Sequence, residues 1–189
     1  MSQRKYVRVG IAAIAAVVAA AIAVPALAAA PPAKVTQKIV SSTKFVPNRY
    51  IQEGLRFKLD RINIRKGGTV TLVDTSREDH TFSLVKKSQV PTTVKQLDAC
   101  FQQPNGQPGV CGKLAVAHGA IDPNTGEPKP VPDRPLVNVG KAGFNQPGDS
   151  GIVPGDKRVK VKITSAQPLY YICAIHPWMS GAINAKPVR

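Results

Sequence analysis

Between Tyr171 and Gly181 the chain reads Tyr-Ile-Cys-Ala-Ile-His-Pro-Trp-Met-Ser-Gly, which sets a thiol, an imidazole and a thioether at Cys173, His176 and Met179. No other stretch constrains the fold as much. Soft sulfur combined with borderline nitrogen suits copper in both of its oxidation states. Three donors on one short loop leave the coordination shell incomplete, so another donor has to be carried alongside from a distant part of the chain. Leu169 to Cys173 is apolar on both faces, as a central strand would be, and the donors sit at its end. His80 opens a second strand, where His80, Phe82 and Leu84 share one face. The two strands would hold a site of His80, Cys173 and His176 in a plane with Met179 as a weak axial ligand, the arrangement of a mononuclear type 1 copper centre.

The rest of the chain also reads as strands. Phe57 and Leu59 alternate with Arg56 and Lys58, and Ile62 and Ile64 continue in the opposite parity, so Asp60-Arg61 marks a bulge or a bend. Lys66-Gly67-Gly68 is a turn, and Thr69 to Val73 is rich in β-branched residues. Val159, Val161 and Ile163 alternate with Lys160 and Lys162, and Gly181 to Ala185 provides a closing strand. No convincing amphipathic helix is visible. Short strands with turn signals predict an all-β fold, a sandwich or barrel. Residues 29–43 read as a linker or first strand, and 44–189 as the domain itself. Tyr170 and Tyr171 are expected in the core.

About 86–157 the texture changes: this stretch holds 10 of the 17 prolines and 10 of the 15 glycines, and it separates the two donor-bearing strands. It reads as a long Pro/Gly-rich loop insertion. Cys100 and Cys111 fall inside it, and Cys173 stands apart among the other donors, so three cysteines divide into one disulfide and one metal ligand. Closing a loop of that size stabilises by about 3 kcal/mol in the chain-entropy model. His118, also in the insertion, reads as solvent-exposed and not as a ligand. Asp122 to Glu127 has a faint likeness to a calcium loop and is read as a turn.

The N-terminus carries Arg4, Lys5 and Arg8, then an uncharged Ala/Ile/Val run from Gly10 to Ala30 with Ala26-Leu27-Ala28 as a small-x-small cleavage site. Residues 1–28 are read as a secretory signal peptide. The competing reading is an uncleaved anchor. Either places the domain outside the cytoplasm, in a periplasmic or other extracytoplasmic compartment where disulfides persist. The formal net charge is +15, and losing the three basic residues of the leader leaves +12. The basic residues are spread thinly, without a basic helix, a zinc-finger spacing or interleaved aromatics, which excludes nucleic acid as the expected partner. An acidic redox protein or an anionic membrane surface remains.

At these residues the chain resembles the cupredoxins, and within them the plastocyanin/amicyanin group. The short C-x-x-H-P-x-M loop is similar to the amicyanin version, and Leu55 to Leu84 is similar to the family's extended segment, Gly turn, strand and first His ligand. The resemblance spans residues 45–85 and 157–186 and implies a Greek-key β-sandwich, one copper, and shuttling of electrons between larger redox proteins. Two departures stand out. The insertion is longer than compact members need, and Thr81 follows the first His where many relatives carry Asn. Pro177 and Trp178 fall between His176 and Met179, and Trp178 is read either as lining a docking surface or as a packing residue. The expected function is a one-electron carrier. The alternative is a copper storage or delivery protein, which would be expected to use exposed Met and His clusters, whereas Met179 is the only Met beyond Met1. An enzyme is not expected, because three unpaired histidines leave no ligands for the further copper centres of an oxidase. Zinc is disfavoured because Met is a poor zinc ligand.

Overall fold

The computed structural model describes residues 30–122, 125, 127, 129 and 134–187. The leader expected over 1–28 lies outside the described residues, as do Pro123, Asn124 and Gly126 of the turn read at Asp122 to Glu127. Two sheets face each other across one core. The first takes β1 (Lys34–Val40), β4 (Arg56–Phe57), β6 (Gly68–Asp74) and β10 (Arg158–Ile163) in the order β10-β6-β1-β4. The second takes β5 (Arg61–Arg65), β7 (His80–Val85), β8 (Leu136–Val137), β9 (Ser150–Val153), β11 (Leu169–Ile172) and β12 (Ser180–Lys186) in the order β5-β12-β11-β7-β9-β8. A small separate hairpin, β2 (Lys44–Val46) with β3 (Tyr50–Gln52), leaves Phe45 and Ile51 exposed. The chain passes repeatedly from one sheet to the other, as the Greek-key β-sandwich requires.

The parity switch at Asp60-Arg61 is one of these crossings. Phe57 pairs with Ile39 in the first sheet, while Ile62 pairs with Ile183 in the second, so residues buried on opposite parities face the same core. That core joins Ile39, Phe57, Val70, Leu72, Val161 and Ile163 of one sheet to Ile62, Ile64, Phe82, Leu84, Tyr171 and Ile183 of the other. Gly67 turns the chain between β5 and β6 at φ 77°, a conformation that costs a glycine little. Gly181 pairs with Tyr171, and a Cβ there would run into the Tyr171 hydroxyl. Tyr171 is fully buried, whereas Tyr170 is only partly so.

Two boundaries shift. The sandwich begins at Lys34, since β1 lies parallel to β6 over six register pairs, so the 29–43 segment contains a true first strand. At the other end, β8 pairs with β9 and β9 with β7 (His80 opposite Val153), so the sheet resumes at Leu136, inside the stretch read as insertion to 157.

The insertion is not the irregular loop that its prolines and glycines suggest. It carries α1 (Val94–Phe101) and α2 (Val110–His118). The Thr93 side chain accepts from the Gln96 N–H, and Gln96 reaches back to the Thr93 N–H, a reciprocal cap that starts α1. Gly119, left-handed at φ 71°, ends α2. Helices this short gain little from propensity and are held by packing. A disulfide joins Cys100 on α1 to Cys111 on α2. The bridge packs with Leu114, Val85, Ile172 and Ala174 in a second apolar cluster, on the outer side of β7 and β11. The insertion therefore covers a sheet face that would otherwise meet water.

Candidate metal centre

His80 opens β7, Cys173 follows the last residue of β11, and these strands are direct neighbours. His176 and Met179 come from the loop between β11 and β12. Pro177 occupies the second position of a turn closed by the Met179 N–H donating to the His176 carbonyl at 2.9 Å, a position for which the proline ring is pre-set. The Cys173 N–H donates to the Met179 carbonyl at 2.9 Å, so the loop folds back on its own base. Its shortness, with only Pro177 and Trp178 between His176 and Met179, is what keeps the donors together.

His80, Cys173 and His176 form the metal-ligating cluster found among the described residues. The Cys173 Sγ lies 3.6 Å from His80 Nδ1 and 3.7 Å from His176 Nδ1, and the two Nδ1 atoms are 3.2 Å apart. Bonds of the lengths imidazole and thiolate make to a first-row ion such as zinc, spread evenly in a plane, would put donors roughly 3.5–3.8 Å apart. The triangle fits such an ion, with the edge between the imidazoles drawn in slightly. Met179 is buried in the same core cluster as Cys173. The donor set, two imidazoles and a thiolate with a thioether on the same loop, is that of one type 1 copper site.

Each imidazole is turned to offer Nδ1. His80 Nε2 is 2.7 Å from Ser76 Oγ, whose own hydroxyl donates to Asp74 Oδ1 at 2.8 Å, so Ser76 must accept and His80 must carry its proton on Nε2. His176 Nε2 lies 3.4 Å from Glu78 Oε2, which holds the second ring in the same sense. Burial pushes the His80 pKa down to about 4, although Asp74 pulls upward. Burial lowers His176 as well, against the pull of Glu78. Both rings are thus neutral near pH 7, as ligands must be. Burial raises the Cys173 thiol, opposed by the Thr81 and His176 N–H groups, each donating to Sγ at 3.4 Å. A coordinating cation deprotonates such a thiol outright.

Thr81 lies beside the site. Its hydroxyl accepts from the Ala174 N–H at 2.7 Å, tying β7 to the loop base. Trp178 is partly packed: its indole N–H donates to the Leu55 carbonyl at 3.2 Å, and it stays 47% exposed. Ile175 is similarly exposed, and His176, partly exposed, lies between them in sequence while His80 is wholly buried.

His118 overturns its reading. It is buried, not solvent-exposed, with Nδ1 2.6 Å from the Arg134 carbonyl and Nε2 2.8 Å from Ser150 Oγ. The sequence showed a helix-free insertion at that point, so nothing indicated what covers it. Ser76, Asp74 and Glu78 also went unnoticed. Asp74 ends β6, and Ser76 and Glu78 lie in the loop after it, whose only signal was its nearness in sequence to His80.

No family model matches the chain, and no curated protein matches it. Solved structures do. A purple cupredoxin from Nitrosopumilus maritimus is 12% identical at TM-score 0.40, covering 80% of this chain and 99% of its own. Auracyanin A, a "blue" copper protein from Chloroflexus aurantiacus, is 15% identical at TM-score 0.39, covering 82% and 99%. A blue copper oxidase from Nitrosomonas europaea is 13% identical at TM-score 0.33, covering 82% of this chain but 39% of its own. Likenesses this distant carry no inference about this chain. Its resemblance to the cupredoxins rests on its own two-sheet layout, its donor-bearing strands β7 and β11, and its donor set.

Proposed function

We propose that this chain is an exported one-electron carrier with a single type 1 copper held by His80, Cys173 and His176 and, axially, by Met179. The observation that supports this most directly is the Sγ–Nδ1–Nδ1 triangle, with both imidazoles neutral and their Nδ1 atoms free of other partners. Bound copper supplies the one-electron couple. The protein supplies a pre-formed plane, so little rearrangement accompanies a change of charge, and a wall of core side chains that excludes water. His176, the more exposed imidazole, is the natural path for the electron, beside Ile175 and Trp178. The leader and the disulfide favour a periplasmic or extracytoplasmic setting, and the +12 charge left once the leader's three basic residues are lost favours an acidic redox partner or an anionic membrane surface. Electron exchange with that partner is then expected to slow as salt rises.

The test is a titration with Cu(II) followed by visible absorption. The wild type is expected to take up one equivalent and develop an intense thiolate-to-copper band. Cys173→Ser should lack the band. Met179→Gln should keep a coloured site at a lower potential, because a harder oxygen donor favours Cu(II). No uptake by the wild type, or a band that survives in Cys173→Ser, overturns the proposal.

A further inference from the structure

Behind the metal loop, on the outer face of the second sheet, runs a line of buried polar groups that copper binding does not itself require. The Ala174 N–H donates to Thr81 Oγ1 at 2.7 Å. Thr81 Oγ1 is 2.8 Å from Ser83 Oγ, and Ser83 Oγ is 2.7 Å from Ser150 Oγ. Ser150 Oγ is 2.8 Å from His118 Nε2, and His118 Nδ1 is 2.6 Å from the Arg134 carbonyl. Thr81, Ser83, Ser150 and His118 are all buried, so water does not compete for them.

With His118 neutral, the direction of this line is set from its Arg134 end. An amide N–H can only donate, and a carbonyl can only accept. Thr81 Oγ1 accepts from Ala174, and its own proton goes to Ser83. Ser83 then donates to Ser150, and Ser150 to His118 Nε2. His118 carries its single ring proton on Nδ1 and gives it to Arg134. Every donor is used once, and aligned bonds of this kind polarise one another. Neutral His118 lets every hydroxyl in the line donate to the next group, and burial lowers its pKa accordingly.

We propose that His118 is a positioning residue for the metal loop, acting through Ser150, Ser83 and Thr81 to hold the Ala174 amide, and with it the adjacent Cys173, in place. The insertion thereby becomes part of the copper site's outer support, although it supplies no ligand. Thr81 links the line to the sulfur twice: its hydroxyl holds the residue after Cys173, and its own N–H donates to Sγ at 3.4 Å. Breaking the line at His118 or Ser150 frees the Thr81 hydroxyl to turn, and both contacts loosen together.

This inference rests on the copper reading for its spectroscopic arm only. In copper-free protein, the Ala174 amide is expected to lose about tenfold in hydrogen-exchange protection in His118→Ala and in Ser150→Ala, equivalent to about 1.4 kcal/mol. Ser150→Thr keeps the hydroxyl and should restore protection. Leu114→Ala removes an equally buried apolar side chain from the same helix as His118 and should leave the amide protected relative to neighbouring strand amides. In copper-loaded protein, His118→Ala and Ser150→Ala should shift the charge-transfer band and the reduction potential without abolishing either, and the double variant should shift them no further than one single. Ala174 protection that is unchanged in both single variants, or lost equally in Leu114→Ala, overturns the inference. Should the wild type bind no copper, the proposed function fails, while the Ala174 measurement still decides the line. If an alanine variant does not fold, protection in Ser150→Thr decides: wild-type protection supports the inference, and its loss overturns it.

Discussion

The two faces of β7 are both buried, but they are built on different principles. His80, Phe82 and Leu84 point into the sandwich, where Phe82 packs against Phe57, Phe144 and Tyr171 with ring centroids 4.6–6.2 Å apart. Thr81, Ser83 and Val85 point the other way, under the insertion. The inner face is held by close-packed apolar atoms, with the metal donor at its top end. On the outer face, the same strand position that would be solvated in an open sandwich has been taken out of water, so each hydroxyl needs a partner. An apolar face fails by opening a cavity, and a polar one by leaving a group unpaired.

The inner face should show the largest effect. Phe82→Ala removes a fully buried ring from the centre of the aromatic cluster, and is expected to cost about 3–5 kcal/mol. Ser83→Ala, one residue along on the outer face, should cost about 1–3 kcal/mol, the penalty for stranding buried hydroxyls. Urea unfolding of the copper-free variants at pH 7.5 gives both numbers. The reverse order would mean that the insertion layer, and not the sandwich core, carries the stability of the domain.

Removing the disulfide separates the layers themselves. Cys100 and Cys111 are 11 residues apart, and the Cys100→Ser/Cys111→Ser double variant is expected to lose about 3 kcal/mol. Its early damage should be local. Limited proteolysis is expected to cut within the insertion while the aromatic near-ultraviolet signal of the inner core persists. Simultaneous loss of both would show that the two faces unfold as one unit.

The inner face was legible in the sequence, and the outer face was not. Period-two alternation exposed Phe82 and Leu84, the apolar run from Leu169 marked the central strand, and the donor spacing marked the site. These signals are local, or need only one pairing. The outer face depends on what covers it. Thr81 and Ser83 alternate with the inward residues, and alternation shows which residues differ in side, not whether water reaches them. α1 and α2 were missed because eight and nine residues are too few for a clear 3.6-residue period. The Thr93–Gln96 capping pair is the local signal that could have shown α1. His118 acquires its role only after the disulfide and Arg134 have folded it onto Ser150.

Acid should sharpen the comparison by acting on both faces at once. His80 and His176 on the metal side and His118 on the insertion side all have pKa values lowered by burial. The unfolded chain therefore takes up protons near pH 6.5 while the folded, copper-free protein resists them. The stability these rings contribute is fully present above pH 6.5 and is lost as the pH falls below it, for His80 until about pH 4. Each ring adds up to about 1.4 kcal/mol per pH unit to that slope. Unfolding midpoints in urea at pH 7.5 and 5.5 measure it. His118→Gln should remove the insertion's share and leave the share of the metal pair. An unchanged slope in that variant would mean that His118 takes up protons alike in the folded and unfolded chain, and that burial does not hold it neutral.

The smallest effect is expected where a buried polar group has redundant partners. The Tyr171 hydroxyl, which is on the inner face, accepts from Gln37 Nε2 at 2.7 Å and donates to the Leu59 carbonyl at 2.9 Å. Gln37 also donates to that carbonyl at 2.7 Å and accepts from the Leu59 N–H at 2.9 Å. Tyr171→Phe therefore deletes two bonds and leaves one Gln37 Nε2 proton without its partner, while Gln37 and Leu59 keep each other in place. The expected cost is about 1 kcal/mol, less than for Ser83→Ala. Tyr171 lies only two residues before Cys173, closer in sequence than Ser150 or His118. If mere proximity to the cysteine governed the site, Tyr171→Phe would move the charge-transfer band more than Ser150→Ala does. If the outer line governs it, the band of Tyr171→Phe should stay where the wild type has it while that of Ser150→Ala shifts. Absorption spectra of the two copper-loaded variants, recorded side by side, decide between the two accounts.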